Sequence, residues 1–242
     1  MKTIVVLGNS AVAGDCFVAA LNYLSCNYQN KFSLLRAFEL SPEIKKADVV
    51  LFTDGNEEEI ASFMGLYAKK TVFSDCSVIT GLTRDAVKIS LSRGEEGRSL
   101  QETETFSELG IEKVARIAFE SAERSHSGIV SVDRSDNKKI GEFWRKAVHE
   151  VAQDYPTVSV CDESIENAFF SISKGKIPGK IFLTNPLCGG IISKVLSEVA
   201  GKSLFVGLFG RTSVAAFGVK NVDSLEPALR AMIEECFEEA TE

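Results

Sequence analysis

The segment at 131–146, SVDRSDNKKIGEFWRK, concentrates charge where a short apolar run gives way to an amphipathic one. Its charged cluster is Asp133, Arg134, Asp136, Lys138 and Lys139. Ligands in open α/β sheets bind where strands end, and carboxylates and amines are groups that can transfer protons there. The pattern therefore allows a catalytic or ligand-binding junction. A solvated turn with a helix cap explains it equally well, because runs of charge commonly face water.

Other candidates for chemistry are weaker. The glycine-bounded turn GNSAVAG at 8–14 lacks the spacing of a dinucleotide fingerprint and the Lys-Ser/Thr pair of a P-loop. His126 and His149 have no Cys or His at ligand spacing, so we expect both at the surface. The acids at 162–166 suit a hydrated turn as well as a metal. The six cysteines show neither knuckle spacing nor scaffold density, which predicts reduced, mostly structural thiols.

The elements that must position these residues follow from alternating periodicities. Short β-branched or apolar runs predict strands, most of them buried on both faces, at 3–8, 47–53, 128–132, 157–161, 180–184 and 203–209. Apolar residues repeating at three and four predict helices at 111–122, 143–151, 191–199 and 225–236. Strands and helices alternate, which predicts an α/β fold with an at least partly parallel sheet.

The composition limits the classes of partner that we expect for this protein. The 242 residues carry a net charge of -7 at pH 7, so no basic surplus exists to neutralise phosphates, and we expect neither a nucleic-acid nor a membrane partner. The apolar run at 4–8 is too short for a signal-peptide core, and no later stretch is long enough to span a bilayer. We expect a cytoplasmic protein whose partners are small molecules or other proteins.

A specific resemblance enters at 102–201. VSVDRSDNKKIGEFWRKAVHEVAQDYPTVSV resembles the V-x-S-V-D-K-A-N-V-L, G-x-x-W-R-K and Y-P-D-V series of 3-isopropylmalate dehydrogenases, and ETETFSELGIEKVARIAFESA resembles the run before it. The resemblance continues more weakly at the start, in VVLGNSAVAGDCFVAAL. It implies a shortened, open twisted sheet with helices on both faces. It also implies oxidation of a 2-hydroxy acid, as in β-decarboxylating dehydrogenases, with a nicotinamide cofactor and a divalent metal.

The resemblance places the family's reacting groups on altered residues. The catalytic lysine falls on Arg134, the asparagine after it on Asp136, and the tyrosine acid on Ser99. The substrate-binding arginines fall on Ser92 and Thr71. An arginine cannot give up its proton in a protein, so Arg134 cannot relay one as a lysine can.

The resemblance also implies that the metal site is lost. The three metal-binding aspartates fall on Glu166, Gly190 and Lys194, and one carboxylate beside an ammonium is a poor site for a hard cation. We expect either that Lys194 replaces the cation and pairs with Glu166, or that it points to solvent. The histidine loop that wraps the adenosine has no counterpart in GLFGRTSVAAFGVKNVD. No cofactor is therefore expected, and the cofactor-binding residues stay unknown.

The family architecture implies a division of the chain. Residues 1–90 and 202–242 would form a first subdomain, and 91–201 a second, dimerisation subdomain with a short arm at about 98–108. The polar stretch 90–110 is a linker or an exposed arm. We expect a homodimer with the helix at 191–199 in its interface, or pairing with an intact dehydrogenase paralogue.

Three functions fit these observations. The first is a non-catalytic homologue with a binding or regulatory role. The second is an NAD(P)-dependent β-decarboxylating dehydrogenase with altered active-site chemistry, which would use NAD and Mg or Mn on a 2-hydroxy acid such as 3-isopropylmalate. The third is a purely structural fragment. Function must be decided from sites rather than from the fold.

Overall fold

The computed structural model describes residues 2–28, 31–53, 57–82, 87–94, 96–134, 138–177, 181–210, 215–219 and 222–236. In chain order its elements are β1 (Lys2–Leu7), α1 (Ala11–Asn27), β2 (Phe32–Ala37), β3 (Val49–Phe52), α2 (Glu57–Met64), β4 (Ala68–Val72), β5 (Ser77–Gly81), β6 (Val87–Gly94), β7 (Gly97–Glu104), α3 (Glu108–Arg124), β8 (Ile129–Asp133), α4 (Lys138–Ala152), β9 (Val160–Ser164), α5 (Ile165–Ser173), β10 (Ile181–Thr184), α6 (Pro186–Val199), β11 (Phe205–Phe209), β12 (Ala215–Val219) and α7 (Leu225–Cys236). Strands and helices alternate for most of the chain, which confirms the predicted α/β fold class.

One sheet of ten strands runs through the molecule in the order β2-β1-β3-β12-β11-β4-β5-β10-β8-β9. The first four strands are mutually parallel, and so are the last four. Between them β12, β11, β4 and β5 are antiparallel in succession, so the two parallel blocks run in opposite directions. Strand β4 therefore lies where the two halves of the sheet meet.

Helices cover both faces of the sheet, and the two faces are packed differently. On the face that we call the back, α1, α3, α4 and α7 share one continuous apolar core. On the front, α2 packs over the first half and α5 and α6 over the second, in two separate cores. The front of the sheet is consequently divided at the strands where the halves meet.

A β-hairpin of β6 and β7 forms a second, two-stranded sheet, which we call the arm. Its described residues are almost all exposed, since it packs on no helix over most of its length. The predicted arm at 98–108 coincides with β7 and the start of α3, whereas the hairpin begins earlier, at Val87. The division into two subdomains stays a prediction.

The cysteines and histidines lie as the sequence predicts. All six cysteines are free, and burial raises the pKa of the Cys76 thiol to about 11, as suits a structural thiol. His126 is exposed, and His149, although bonded to Asp162, keeps 48% of its side chain exposed, so both lie at the surface as predicted. Among the helices described, none combines the length and apolarity needed to cross a membrane.

Candidate functional site

The division of the front face creates a cavity of about 340 Å³ between α2 and α6, which we call the front cleft. Its polar lining comprises Glu57, Glu58, Lys69, Thr71, Thr80, Ser193 and Ser203. Lys69 and Thr71 alternate along β4 and so share one face of the sheet. Gly189 and Gly190, in the first turns of α6, close the opposite side. Two of the predicted site residues, Thr71 and Gly190, are thus brought to one cavity.

The two adjacent glycines of α6 have different surroundings. A Cβ on Gly189 would lie 2.2 Å from Thr80 Cγ2 and 3.3 Å from Thr184 Cγ2, so only glycine lets α6 approach the sheet this closely. A Cβ on Gly190 would meet nothing within 4 Å. Packing therefore requires glycine at 189, but leaves room at 190 for a larger side chain.

Two of the three charged side chains that line the front cleft, Lys69 and Glu57, are paired with each other. Lys69 Nζ lies 2.6 Å from Glu57 Oε2, with 33% and 36% of the two side chains exposed. A pair this exposed stabilises the fold by about 0–1 kcal/mol, so a ligand can compete for either partner. The described lining contains no histidine, cysteine or tyrosine. The hydroxyls, the ion pair and the Glu58 carboxylate suit the binding of a small polar molecule.

A second cavity, of about 300 Å³, lies at the base of the arm and shares Gly81, Leu82 and Pro186 with the front cleft. Tyr67, Phe106, Ile111 and Trp144 give it an apolar wall. Glu104, also in the lining, binds Arg134 with a 3.3 Å contact between Oε2 and Nη1. Arg134 is therefore held against the arm rather than projecting into open solvent.

Asp133 shows that the charged junction is more than a solvated turn. Its side chain is only 4% exposed and forms an ion pair with Arg145 of α4. Burial raises the pKa of this carboxyl above its ordinary value, and Arg145 opposes the shift. A Cβ on Gly141 would lie 3.1 Å from Asp133 Oδ1, so glycine there lets α4 approach the carboxylate. Lys138 does face water, beside Glu142. The solvated-turn alternative is wrong for Asp133.

Ser92 and Ser99 lie on the arm, outside both cavities as described. They face each other across the β6–β7 ladder, and their hydroxyl oxygens are 2.6 Å apart. Both residues are exposed in the single chain. Each hydroxyl thus already has a hydrogen-bonding partner. Asp136, the remaining candidate for a reacting group, lies outside the described residues.

The metal implied by the resemblance does not fit the residues present. Gly190 offers no donor, and Glu166 and Lys194 are both exposed. Among the described residues no ion pair joins Lys194 to Glu166, and the Lys194 side chain is exposed. No cluster of three or more His, Cys, Asp or Glu side chains suited to a metal occurs in the described part of the chain. A hard divalent cation needs more oxygen ligands than this arrangement supplies.

The segment where the resemblance implies an adenosine loop connects β11 to β12 and lies mostly outside the described residues. Strands β11 and β12 stay paired up to Phe209 and Ala215, so a short connection joins them. Gly210 begins that connection, and a Cβ there would lie 3.0 Å from Leu66 Cδ2. Neither Phe209 nor Gly210 has a side-chain hydrogen-bond donor. The rest of the connection, 211–214, lies outside the described residues.

Sequence reasoning missed most of the cleft lining. Lys69 and Thr80 lie on β4 and β5, which were not predicted as strands, whereas Ser193 and Ser203 fall within predicted elements but belong to no motif. The available signal was the alternation in AKKTV, which places Lys69 and Thr71 on one face and Lys70 on the other.

Comparisons with known proteins agree with this fold. The 3-isopropylmalate dehydrogenase of Chlorobaculum tepidum is 32% identical over 92 residues, 38% of this chain and 26% of that protein. The enzyme of the same name from Aliivibrio fischeri is 30% identical over 158 residues, 64% of this chain and 42% of that protein. The chain thus matches less than half the length of these curated relatives.

A solved structure matches almost the whole chain. The β-decarboxylating dehydrogenase of Thermococcus kodakarensis, in its apo form, superposes with a TM-score of 0.75 over 97% of this chain and 82% of that one, at 18% sequence identity. At this identity the likeness concerns the fold. The family model described as isocitrate/isopropylmalate dehydrogenase matches residues 65–228, well over half of the sequence. The chain therefore belongs to the isocitrate/isopropylmalate dehydrogenase family.

Proposed function

We propose that this chain is a non-catalytic member of its family with a binding or regulatory role. The observation that carries the proposal is the ion pair between Arg134 and Glu104, at the position that the resemblance gives to the catalytic lysine. A guanidinium stays protonated in proteins, and a carboxylate partner favours its charged form further. A proton relay through this residue is excluded on chemical grounds.

Two other features support the proposal. The hydroxyls of Ser92 and Ser99, at the substrate-arginine and tyrosine positions, bond to each other, and neither residue can supply a cationic or phenolic group. Thr71 brings a hydroxyl to the front cleft where the resemblance has a substrate-binding arginine. General acid and base groups typically contribute about a hundredfold or more each, so their joint loss leaves no measurable turnover.

The direct test is an assay for reduction of NAD or NADP with isopropylmalate, isocitrate, malate and tartrate, each with Mg or Mn. We expect no metal-dependent reduction, while an intact family enzyme assayed in parallel reduces its cofactor. Turnover that depends on the metal and disappears in Thr71→Ala or Arg134→Met would overturn the proposal and support the altered dehydrogenase. Thr105→Ser, a conservative change at the base of the arm, serves as the control variant.

Binding can be measured independently of turnover. Thermal shift against nicotinamide cofactors, 2-hydroxy acids and divalent cations reads any ligand of the folded state, because such a ligand raises stability by mass action. A 2-hydroxy acid bound in the front cleft should compete with Glu57 for Lys69. We therefore expect Lys69→Met to abolish a shift that wild type shows. A shift that persists in Lys69→Met places the ligand elsewhere.

We further propose that the chain forms a homodimer through the arm and the α5–α6 face. Leu91 and Leu100 oppose each other on one face of the arm and are 71% and 67% exposed. Phe170 and Leu187, on α5 and α6, are 58% and 56% exposed. Apolar patches of this kind mark interaction surfaces, and self-complementary pairing is the commonest assembly.

Light scattering at micromolar concentration tests the assembly. We expect a dimer for wild type and a monomer for Leu91→Ser/Leu100→Ser, because the double change removes the apolar face of the arm. Gln101→Ser, on the opposite face of the same hairpin, should leave the dimer intact. A wild-type monomer contradicts the homodimer. A complex formed only on mixing with an intact paralogue would instead support hetero-assembly.

A further inference from the structure

A buried polar trio lies on the back of the sheet, opposite the front cleft. Lys70 of β4 donates a 2.5 Å hydrogen bond to Ser121 Oγ of α3 and forms an ion pair with Glu235 of α7. Ser121 Oγ lies 3.4 Å from the same Glu235 oxygen. The side chains of Lys70 and Glu235 are only 12% and 11% exposed, and Ser121 is buried. The trio joins three elements that are distant in sequence.

The trio lies between helices that belong to different halves of the sheet. Helix α3 packs on the second half of the sheet, against β5, β8 and β10, and α7 packs on the first half, against β11 and β12. A groove separates these helices, with cavities of about 780 Å³ and 490 Å³ that both border Glu235 and Arg124. Lys70, from the strand where the halves meet, reaches both helices. The trio therefore ties one half of the molecule to the other across this back groove.

Strand β4 contributes one lysine to the front cleft and the next one to the back groove. The front cleft lies between two separately packed cores, whereas the back core is continuous across both halves, so apolar packing fixes the spacing of the halves less on the front. Rotation of the halves about the central strands would widen the front cleft while the back groove narrows, or the reverse. Lys69 and Lys70, neighbours on β4, point to these opposite sides. Polar contacts across the back groove would thus restrict the rotation of the halves that changes the width of the front cleft.

We propose that Lys70, Ser121 and Glu235 form a latch that fixes α7 to α3 and thereby sets the width of the front cleft. An ion pair with most of its surface buried is screened little by solvent. Its hydrogen bonds are directional, so the latch holds one spacing between the helices rather than a range. Removal of one partner leaves the other charge mostly buried without that partner, which favours opening of the groove to water.

Distances between spin labels across the front cleft test the latch. Labels at Glu58→Cys of α2 and Ser193→Cys of α6 report the cleft width, in a background with Cys26, Cys161 and Cys236 replaced by serine. Labelled chains are diluted with unlabelled chains, so that only distances within one chain are read. We expect one narrow distance distribution for the latched protein, and a shifted, broader one for Glu235→Gln and for Lys70→Met.

Glu226→Gln is the matched control. Glu226 lies on the same helix α7 and pairs with Arg230, but both side chains are exposed, so its loss should leave the distribution unchanged. Lys70→Met/Glu235→Leu removes the latch while packing apolar side chains together, which keeps a folded variant available if a single change unfolds the protein. The latch is overturned if this double variant and the folded single variants all give the distribution of Glu226→Gln.

Discussion

The adjacent glycines of α6 allow the packing at the front cleft to be measured. Alanine at either position gains about 0.5–1 kcal/mol of helix stability, because glycine loses more backbone freedom on folding. At Gly189 the new methyl group would lie 2.2 Å from Thr80 Cγ2, and overpacking of a core typically costs about 1–3 kcal/mol. At Gly190 it would meet nothing within 4 Å. The helix gain is common to both, so the two variants should differ by about 1–3 kcal/mol.

Urea unfolding of Gly189→Ala, Gly190→Ala and wild type measures this difference directly. We expect Gly190→Ala to be more stable than wild type and Gly189→Ala to be the less stable of the two variants. For a chain of this size the melting temperature should change by about 2–4 °C per kcal/mol. Thr80→Ser removes the clashing methyl, so in that background the difference should shrink markedly. Equal shifts for both alanines, or a difference that Thr80→Ser leaves intact, would refute the packing argument.

Three further predictions concern buried polar groups. Ser131→Ala leaves the buried Trp144 indole N–H without its 3.1 Å acceptor and should destabilise by about 1–3 kcal/mol in urea unfolding; no loss would contradict that bond. Asn185→Ala removes the α6 cap that accepts from Cys188 N at 3.0 Å, and should cost about 0.5–2 kcal/mol by the same assay; an unchanged midpoint would argue against the cap. Because burial raises the pKa of Asp133, this carboxyl contributes stability that is present below about pH 3.8 and is lost as the pH rises through the raised pKa. The stability of wild type relative to Asp133→Asn should therefore fall across that pH range, and a pH-independent difference between the two proteins would refute the prediction.

The parts of the fold predicted from sequence are those with a clear period. Helices α3, α4, α6 and α7 carry an apolar stripe, and their predicted ranges lie within or coincide with the observed elements. Helix α1 was missed because its apolar residues are not confined to one side: Cys16 and Leu24 are buried while Val18 and Leu21 are exposed. A pattern that does not alternate between polar and apolar faces gives no helical signal.

The strands, like the helices, were predicted where their sequence pattern is clear. Strands buried on both faces, such as β3, β8 and β10, were found as apolar runs. The edge strand β9 is observed at Val160–Ser164 rather than at 157–161, since its half-exposed residues mark the register weakly. The central strand β4 was missed because its lysines, Lys69 and Lys70, are typical of surface segments. Each is instead paired with a carboxylate, on opposite faces of the sheet.

The sequence could indicate which residues belong to the candidate site, but not the contacts that those residues make. The resemblance pointed to Thr71 and Gly190 as parts of one site, and the structure places both in the front cleft. The contact between Ser92 and Ser99 depends on the register of the hairpin, which their spacing alone does not determine. The pairing of Arg134 with Glu104 depends on how the arm meets β8. These are tertiary contacts, and no local pattern encodes them.

The proposed loss of catalysis is compatible with an intact fold because different residues carry the two properties. Gly190 borders open space and Lys194 is exposed, so the identity of either residue has little effect on packing. Gly189, next to Gly190, is constrained by Thr80, and Gly141 is constrained by Asp133. Packing therefore constrains the residues at 189 and 141 more than those at 190 and 194. The side chains at 190 and 194 can thus differ from those of a catalytic family member while the helices keep their places on the sheet.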